Sequence, residues 1–360
     1  MSGTSGGGNK TYLGDTVISA ASTTLTQTVA NSLSAASIHN IGAGSTLSTG
    51  NLAGSVKALT GAGTVNLARA AANLTIADGA GQTFSGVVTG AGTLTKAGPG
   101  TQILSGAGNT HNGTTSITAG VLQIGGAGRM NSGAYSGAIV NTGTLQYSSS
   151  ADQLLSGPVS GAGGALVKDT GAGTLTLTGT NSYTGGTTVN AGTLIATTGS
   201  ALGTNGGLTV GGATFVYKAA AAGPLNLGSG VINLAAGSRI GASVGGTLGQ
   251  SAITSTAAAV TTGAITVDIY GIPAAPATFG INNLNHRRQR AGRGDLHAGE
   301  RLQRHELFGG AGQPLLQRHR GQYRNHQPRR PRRRILEGWI RRRQQRVGAL
   351  RRVDRQQLGE

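Results

Sequence analysis

The sequence predicts an all-β chain, a right-handed parallel β-helix (solenoid) followed by a disordered Arg-rich C-terminal tail. Three observations carry this. Gly supplies 65 of the 360 residues, without the strict three-residue period of collagen. Short runs such as Thr174-Leu175-Thr176-Leu177 alternate aliphatic with polar residues, the period of a strand. The stretch from Gly86 to Ile124 recurs from Gly157 to Ile195. Strand-like repeats of this length point to a solenoid, in which each unit buries its apolar side against the next.

Taken in order, residues 1–24 read as a partial repeat or N-terminal coil. Tyr12 to Ala20 lies over Tyr183 to Ala191. Residues 25–283 form the repeat body. The two long copies align without a gap from Asn109 and Asn181 onward, offset by 72 residues. Upstream, one inserted residue separates Lys96 and Gly100 from Lys168 and Gly173. Expected strands are 64–67, 73–76, 93–96, 101–104, 121–124, 144–147, 174–178, 193–196, 213–217 and 231–234. Their alternation should place Leu, Val and Ile on one face and hydroxyls or amides on the other. Gly-Ala-Gly and Gly-Gly pairs between them supply turns. A sandwich or barrel would need long-range pairing and usually large core aromatics. Aromatics are only 3% here, which favours stacked coils with Leu94, Leu104, Leu122, Leu166, Leu177 and Leu194 inside. At roughly 20–25 residues per coil and ~4.8 Å per rung, the body holds about 11–14 coils in a rod roughly 50–65 Å long.

The residues now reach a family. Leu94, Thr95, Lys96, Gly100, Thr101, Leu104, Gly106, Gly113, Thr115, Ala119, Gly120 and Leu122 form a pattern. Leu166, Lys168, Gly173, Thr174, Leu177, Gly179, Gly185, Thr187, Ala191, Gly192 and Leu194 repeat it. This pattern resembles the passenger-associated repeat of bacterial autotransporters. Val167 departs from it where Thr95 stands, and His111 stands where Tyr12 and Tyr183 do. The resemblance implies a β-helical passenger exported by the type V route. Such a passenger is extracellular, displayed at or released from the cell surface, and its parent protein is linked to the outer membrane.

Composition bounds the chemistry. Without cysteine there is neither a disulfide nor thiol chemistry. No apolar run approaches membrane-spanning length. Met1 to Gly8 lacks an apolar signal core, so the expectation is that this start lies inside a longer gene. Nor does the chain end in alternating strands of about ten residues, as a transmembrane barrel would. The formal charge of +18 is uneven: residues 1–283 hold eight basic and five acidic residues, and residues 284–360 hold 21 Arg and six acidic ones. Thr and Ser vanish after Asn283. Arg codons of the CGN type, read one base later before a codon starting in C or G, encode Ala, Gly, Val, Asp or Glu. The tail is therefore expected to be a passenger read out of frame. An ordinary disordered tail and a nucleic-acid-binding arm are the competing readings.

Candidate sites are weighed against plain packing. Arg293-Gly294-Asp295 is a lone integrin-type tripeptide in that tail. His286, His297, His305, His319 and His326 lack metal-ligand spacing with carboxylates or thiols. His39 and His111 are isolated, and His111 reads as a turn residue. Some parallel β-helices cleave polysaccharides with clustered carboxylates, or with a carboxylate–Arg pair, on one face. Before residue 284 there is no Glu, only Asp15, Asp78, Asp152, Asp169 and Asp268, mutually distant in sequence. Tyr12, Tyr183 and Lys168 recur by repeat, which reads as packing. The expectation is a structural stalk with no catalytic, cofactor-binding or metal residues, no cofactor and no specific nucleic-acid partner. An adhesin with weak glycan binding, a polysaccharide-degrading enzyme and nucleic-acid binding through the tail are the alternatives. Self-association at uncapped ends is a further expectation.

Overall fold

The computed structural model describes residues 10–19, 21–79, 81–219, 223–243 and 253–270. All lie in one of two compact units, Met1–Leu315; the other is Leu316–Glu360. The tail from 284 onward, with its expected disorder and shifted reading frame, lies outside the described residues.

The described residues wind into a parallel β-solenoid of about eleven turns. One sheet runs through it with twelve strands, from Thr16–Ile18 to Val260–Thr261. Successive strands of that sheet begin 19 to 28 residues apart, one per turn. Sheets of four, six, seven and two strands form the other walls. Pairing is parallel throughout, as in Thr101–Leu104 on Val121–Gly126 and Thr174–Leu177 on Thr193–Ala196. This excludes the antiparallel sandwich. The ten expected strands are all present, some trimmed or extended by one or two residues, as Val121–Gly126 and Thr144–Ser149 are. Thr16–Ile18 is already the first strand of the long sheet, so the N-terminal coil is continuous with the body.

The core is a column of aliphatic side chains. Ile18, Ile41, Gly61, Phe84, Leu104, Ile124, Tyr147, Lys168, Val189, Val210 and Leu234 follow one another up the inner face of the long sheet. Gly61, with a φ of +93°, has no room for a side chain, since a Cβ there would stand 2.2 Å from the Ile41 carbonyl oxygen. Leu94, Leu104, Leu122, Leu166, Leu177 and Leu194 are all inside, none more than 5% exposed. Each such leucine contributes about 1.5–3 kcal/mol by leaving water.

In one strand the expected faces are reversed in kind. In Thr101–Leu104 the amide Gln102 points inward and Ile103 outward. Period two is kept; the column takes Gln102 because Leu59, two coils below, needs its amide, as described below.

The 72-residue repeat is not a whole number of turns. Strand Thr93–Lys96 belongs to the six-stranded sheet, and its repeat equivalent Ala165–Lys168 to the long one. Likewise Thr101–Leu104 lies in the long sheet and Thr174–Leu177 in the seven-stranded one. From Thr93 the six-stranded sheet advances three rungs to Val159–Ser160, and the next strand is Ala165–Lys168. The second copy is thus three turns and one wall further on, so equivalent residues look out from different walls.

One corner is held by glycine for want of space. A Cβ on Gly113, Gly137, Gly157 or Gly179 would stand 2.0–2.3 Å from the carbonyl oxygen of Gly92, Gly113, Gly137 or Gly157, respectively. The corner is a vertical ladder of glycines one coil apart. Gly157→Ala should therefore lower the denaturant midpoint, by roughly 1–3 kcal/mol of stability. Gly14→Ala, with nothing within 4 Å of the added carbon, should stay within about 0.5 kcal/mol of the parent.

Candidate functional site

The polar residues singled out by the repeat bond to the protein's own groups, the lysines to main-chain carbonyls and the tyrosines to threonine hydroxyls. Lys96 and Lys168 end strands whose pattern sends them inward, and both are fully buried. Lys96 stacks between Ile76 and Ile117, and Lys168 between Tyr147 and Val189. Their stems join the apolar column while the ammonium reaches the following turn. Lys96 Nζ donates to the carbonyls of Ala97 (2.5 Å), Gly98 (2.9 Å) and Ala119 (3.4 Å). Lys168 Nζ donates to those of Asp169 and Gly171, both at 2.9 Å. Burial pushes both ammonium groups below the usual lysine range, against the opposing pull of Asp78 and Asp169.

The position held by Tyr12, His111 and Tyr183 shows the repeat and its variation. Tyr12 shares a hydrogen bond with Thr16 (2.9 Å), and Tyr183 with Thr187 (2.6 Å). At the third copy the imidazole is too short for this bond. Thr115 is met instead by the Tyr135 hydroxyl at 2.8 Å, which comes from the next coil and donates to the Gly113 carbonyl. His111 stacks on Tyr135, with ring centroids 6.1 Å apart, and its Nε2 donates to the Gly92 carbonyl at 2.7 Å. His111 lies between strands, as expected, with its ring buried. It lines a small recess with Val88, Leu104, Asn109, Arg129 and Met130, of a size for about one water molecule. His39 is buried as well, its Nδ1 donating to the Ser37 carbonyl at 3.1 Å and its Nε2 3.3 Å from the Tyr12 hydroxyl.

Four further buried amides join coils in the interior. The strand Gln82–Phe84 pairs with its lower neighbour through a single residue pair, Gly61 with Phe84. Gln102 fills that gap. Its Oε1 accepts from the Leu59 N–H (2.9 Å) and its Nε2 donates to the Leu59 carbonyl (3.0 Å). Gln153 clasps Met130 in the same way, at 2.7 and 3.1 Å. Asn109 and Asn181, equivalent by repeat, each join two coils. Asn109 accepts from Val88 N–H and donates to the Arg129 carbonyl; Asn181 accepts from Val159 N–H and donates to the Ala201 carbonyl. Asn109 and Asn181 are legible as the points from which the copies align without a gap. For Gln102 and Gln153 no sequence signal distinguishes an inward amide from an outward one.

Four of the carboxylates have separate partners. Asp78 accepts from the Gly100 N–H and Asp152 from the Thr174 N–H. Asp169 accepts from Gln146, and Asp268 pairs with Arg239. Among the described residues no group of three or more His, Asp or Glu is placed to hold a metal ion. The tripeptide 293–295 and the tail histidines lie outside the described residues.

Two predictions follow from this geometry. Gln102→Met keeps the volume but strands two buried main-chain groups of Leu59. It should cost about 2–4 kcal/mol and raise hydrogen exchange around residues 58–61. Gln123→Met, on the outer face of the same sheet, should not do so. The second prediction is a pH window. Burial holds His39 and His111 below the ordinary imidazole range, so both favour the neutral form in the fold. Their contribution is intact above about pH 6.5 and is lost as acid protonates them more readily in the unfolded chain. Tyr135, pushed up by burial to about 12, and Tyr183, also raised, resist ionisation. Their contribution is intact below about pH 10 and lost above it. Thermal unfolding should show an acid edge below about pH 6.5, and His39→Gln with His111→Gln should flatten it.

Comparison with known proteins gives one result. Residues 94–124 and 169–196 match the model of the passenger-associated-transport-repeat. No curated protein and no solved structure matches the chain. The matched segments cover the later part of each long copy, and they contain Lys96, Asn109, His111, Asn181 and Tyr183 of the buried polar set. The parallel β-solenoid thus contains two segments similar to the passenger-associated-transport-repeat, a match that supports an autotransporter passenger domain.

Proposed function

We propose that this chain is a rigid stalk of a surface-displayed or secreted bacterial protein, one that spaces or displays other regions and carries out no catalysis itself. The observation that carries the reading is that both matched repeats fold into one continuous ladder of twelve parallel rungs. Eleven steps of ~4.8 Å give an axial length of about 53 Å. Main-chain hydrogen bonds along the whole length resist bending, and the body's small net charge neither stretches nor collapses it. The scattered Asp residues support the absence of catalysis, since most already have an internal role.

The passenger route also explains the composition. A chain that crosses a membrane unfolded and then folds from one end gains from having no cysteine to cross-link on the way. It gains too from coils that each template the next.

The experiment places the chain between a signal peptide and a translocator barrel in a Gram-negative host, with an epitope at its outer end. The epitope should be reached by antibody on intact cells. Its distance from the membrane should grow by about 50 Å relative to a version lacking residues 10–270. An epitope that stays periplasmic, or one whose distance is unchanged, would sink the stalk reading.

A further inference from the structure

We propose that Asn112–Gly113 is a self-modification site, where the Gly113 main-chain nitrogen attacks the Asn112 carboxamide and turns one corner of the solenoid into aspartate or isoaspartate.

The repeat sets the same glycine after different residues, in Leu13-Gly14, Asn112-Gly113 and Thr184-Gly185. Only Asn112 offers a carboxamide that the following nitrogen can attack. In the later long copy both main-chain N–H groups are tied. Thr184 donates to the Gly161 carbonyl at 3.3 Å and Gly185 to that of Gly164 at 2.9 Å. In the earlier long copy Asn112 N–H still donates, to the Gly90 carbonyl at 3.1 Å. No described residue accepts from the Gly113 N–H. Its counterpart acceptor, the Gly92 carbonyl, takes the His111 Nε2–H at 2.7 Å instead. The histidine that stands where Tyr183 does thus leaves free the nitrogen that follows Asn112.

The chain's other Asn-Gly pair, Asn205–Gly206, is held differently. The Asn205 Oδ1 accepts from the Ser229 N–H at 3.0 Å and from the Ser229 hydroxyl at 3.2 Å. Those bonds hold the carboxamide against the next coil. Asn112 is exposed, and its carboxamide bonds to no described residue. It is therefore free to turn back on its own main chain, and Gly113 brings no Cβ to obstruct ring closure.

Solvent hydroxide takes the proton of the Gly113 nitrogen, which then forms a bond to Asn112 Cγ. The Cγ–Nδ2 bond breaks, and the departing nitrogen takes a proton from solvent and leaves as ammonia. The cyclic succinimide takes up water. Opening at Cγ gives aspartate; opening at the main-chain carbonyl gives isoaspartate, in which the chain runs through the former side chain. Isoaspartate adds a backbone carbon to a corner that has no room for one, since even a Cβ on Gly113 would stand 2.0 Å from the Gly92 carbonyl oxygen. The bond of Asn112 to Gly90 and that of the Tyr135 hydroxyl to the Gly113 carbonyl are the ones it disturbs. The site gives this coil a chemical lifetime that the corner at Thr184–Gly185 lacks.

The test follows both pairs in the full chain by peptide mapping and mass spectrometry, which separate asparagine, aspartate and isoaspartate. In neutral buffer the folded chain should convert Asn112 at least about fivefold faster than Asn205, the difference that one main-chain hydrogen bond makes. In urea, with the fold lost, the two rates should come together. His111→Leu removes the Nε2–H and returns the Gly92 carbonyl to Gly113, so conversion at 112 should slow by about the same factor. Should that variant misfold, the comparison of the two pairs in the parent still decides. Asn112→Thr, matching Thr184, should keep its thermal midpoint through an incubation that lowers the parent's. No conversion at 112 in the folded chain, equal rates at 112 and 205, or the same ratio of rates in urea as in buffer would each overturn the proposal.

Discussion

The interaction on which everything else depends is the parallel main-chain ladder between successive coils. Neighbouring strands sit about 4.8 Å apart, and that distance must hold at the corners as well as along the walls. This is why one corner is a column of glycines, each Cα against the carbonyl of the coil below. It is also why the interior can be narrow and aliphatic. A side chain in this fold needs only to match those directly above and below it, as Ile124 matches Leu104 and Tyr147.

Where the ladder fails, side-chain amides replace it. Gln102 offers one acceptor and one donor to Leu59, as a strand would, at the place where Gln82–Phe84 pairs through one residue only. Gln153 does the same for Met130. A buried main-chain group left unpaired costs about 1–3 kcal/mol, while the amide fits the column almost as well as a leucine. The lysines solve the analogous problem at the turns, where carbonyls converge with no N–H to meet them. The polar interior is thus a product of the ladder's irregularities.

This explains what the sequence discloses. Strands such as Thr64–Leu67 and Thr193–Ala196 are legible because alternation follows from one inward and one outward face. The leucines at repeat positions are legible because only a shared interior explains them. Wall assignment is not legible, since every wall accepts the same Thr-Leu-Thr pattern and nothing local distinguishes one from another. Gln102 and Ile103 appear on unexpected sides for a non-local reason, the gap two coils below. His111 is similar. As one residue it reads as a turn, but its burial depends on Tyr135, a coil away.

The interchangeability of the walls has a consequence for how such a chain grows. A repeat of three turns and one wall brings the residues of the second long copy round to a different wall from their equivalents in the first. Selection then acts chiefly on the contact between neighbouring coils, because equivalent positions of the two long copies do not share a vertical row. Lys168 rests on Tyr147 and not on another lysine, and Tyr135 completes the bond that His111 leaves open. Each copy must be compatible with whatever lies beneath it, and the surest way to meet that demand is to keep every position small, apolar or self-satisfying. That demand accounts for the low aromatic content and the abundance of Gly and Thr better than any need to form a single binding face.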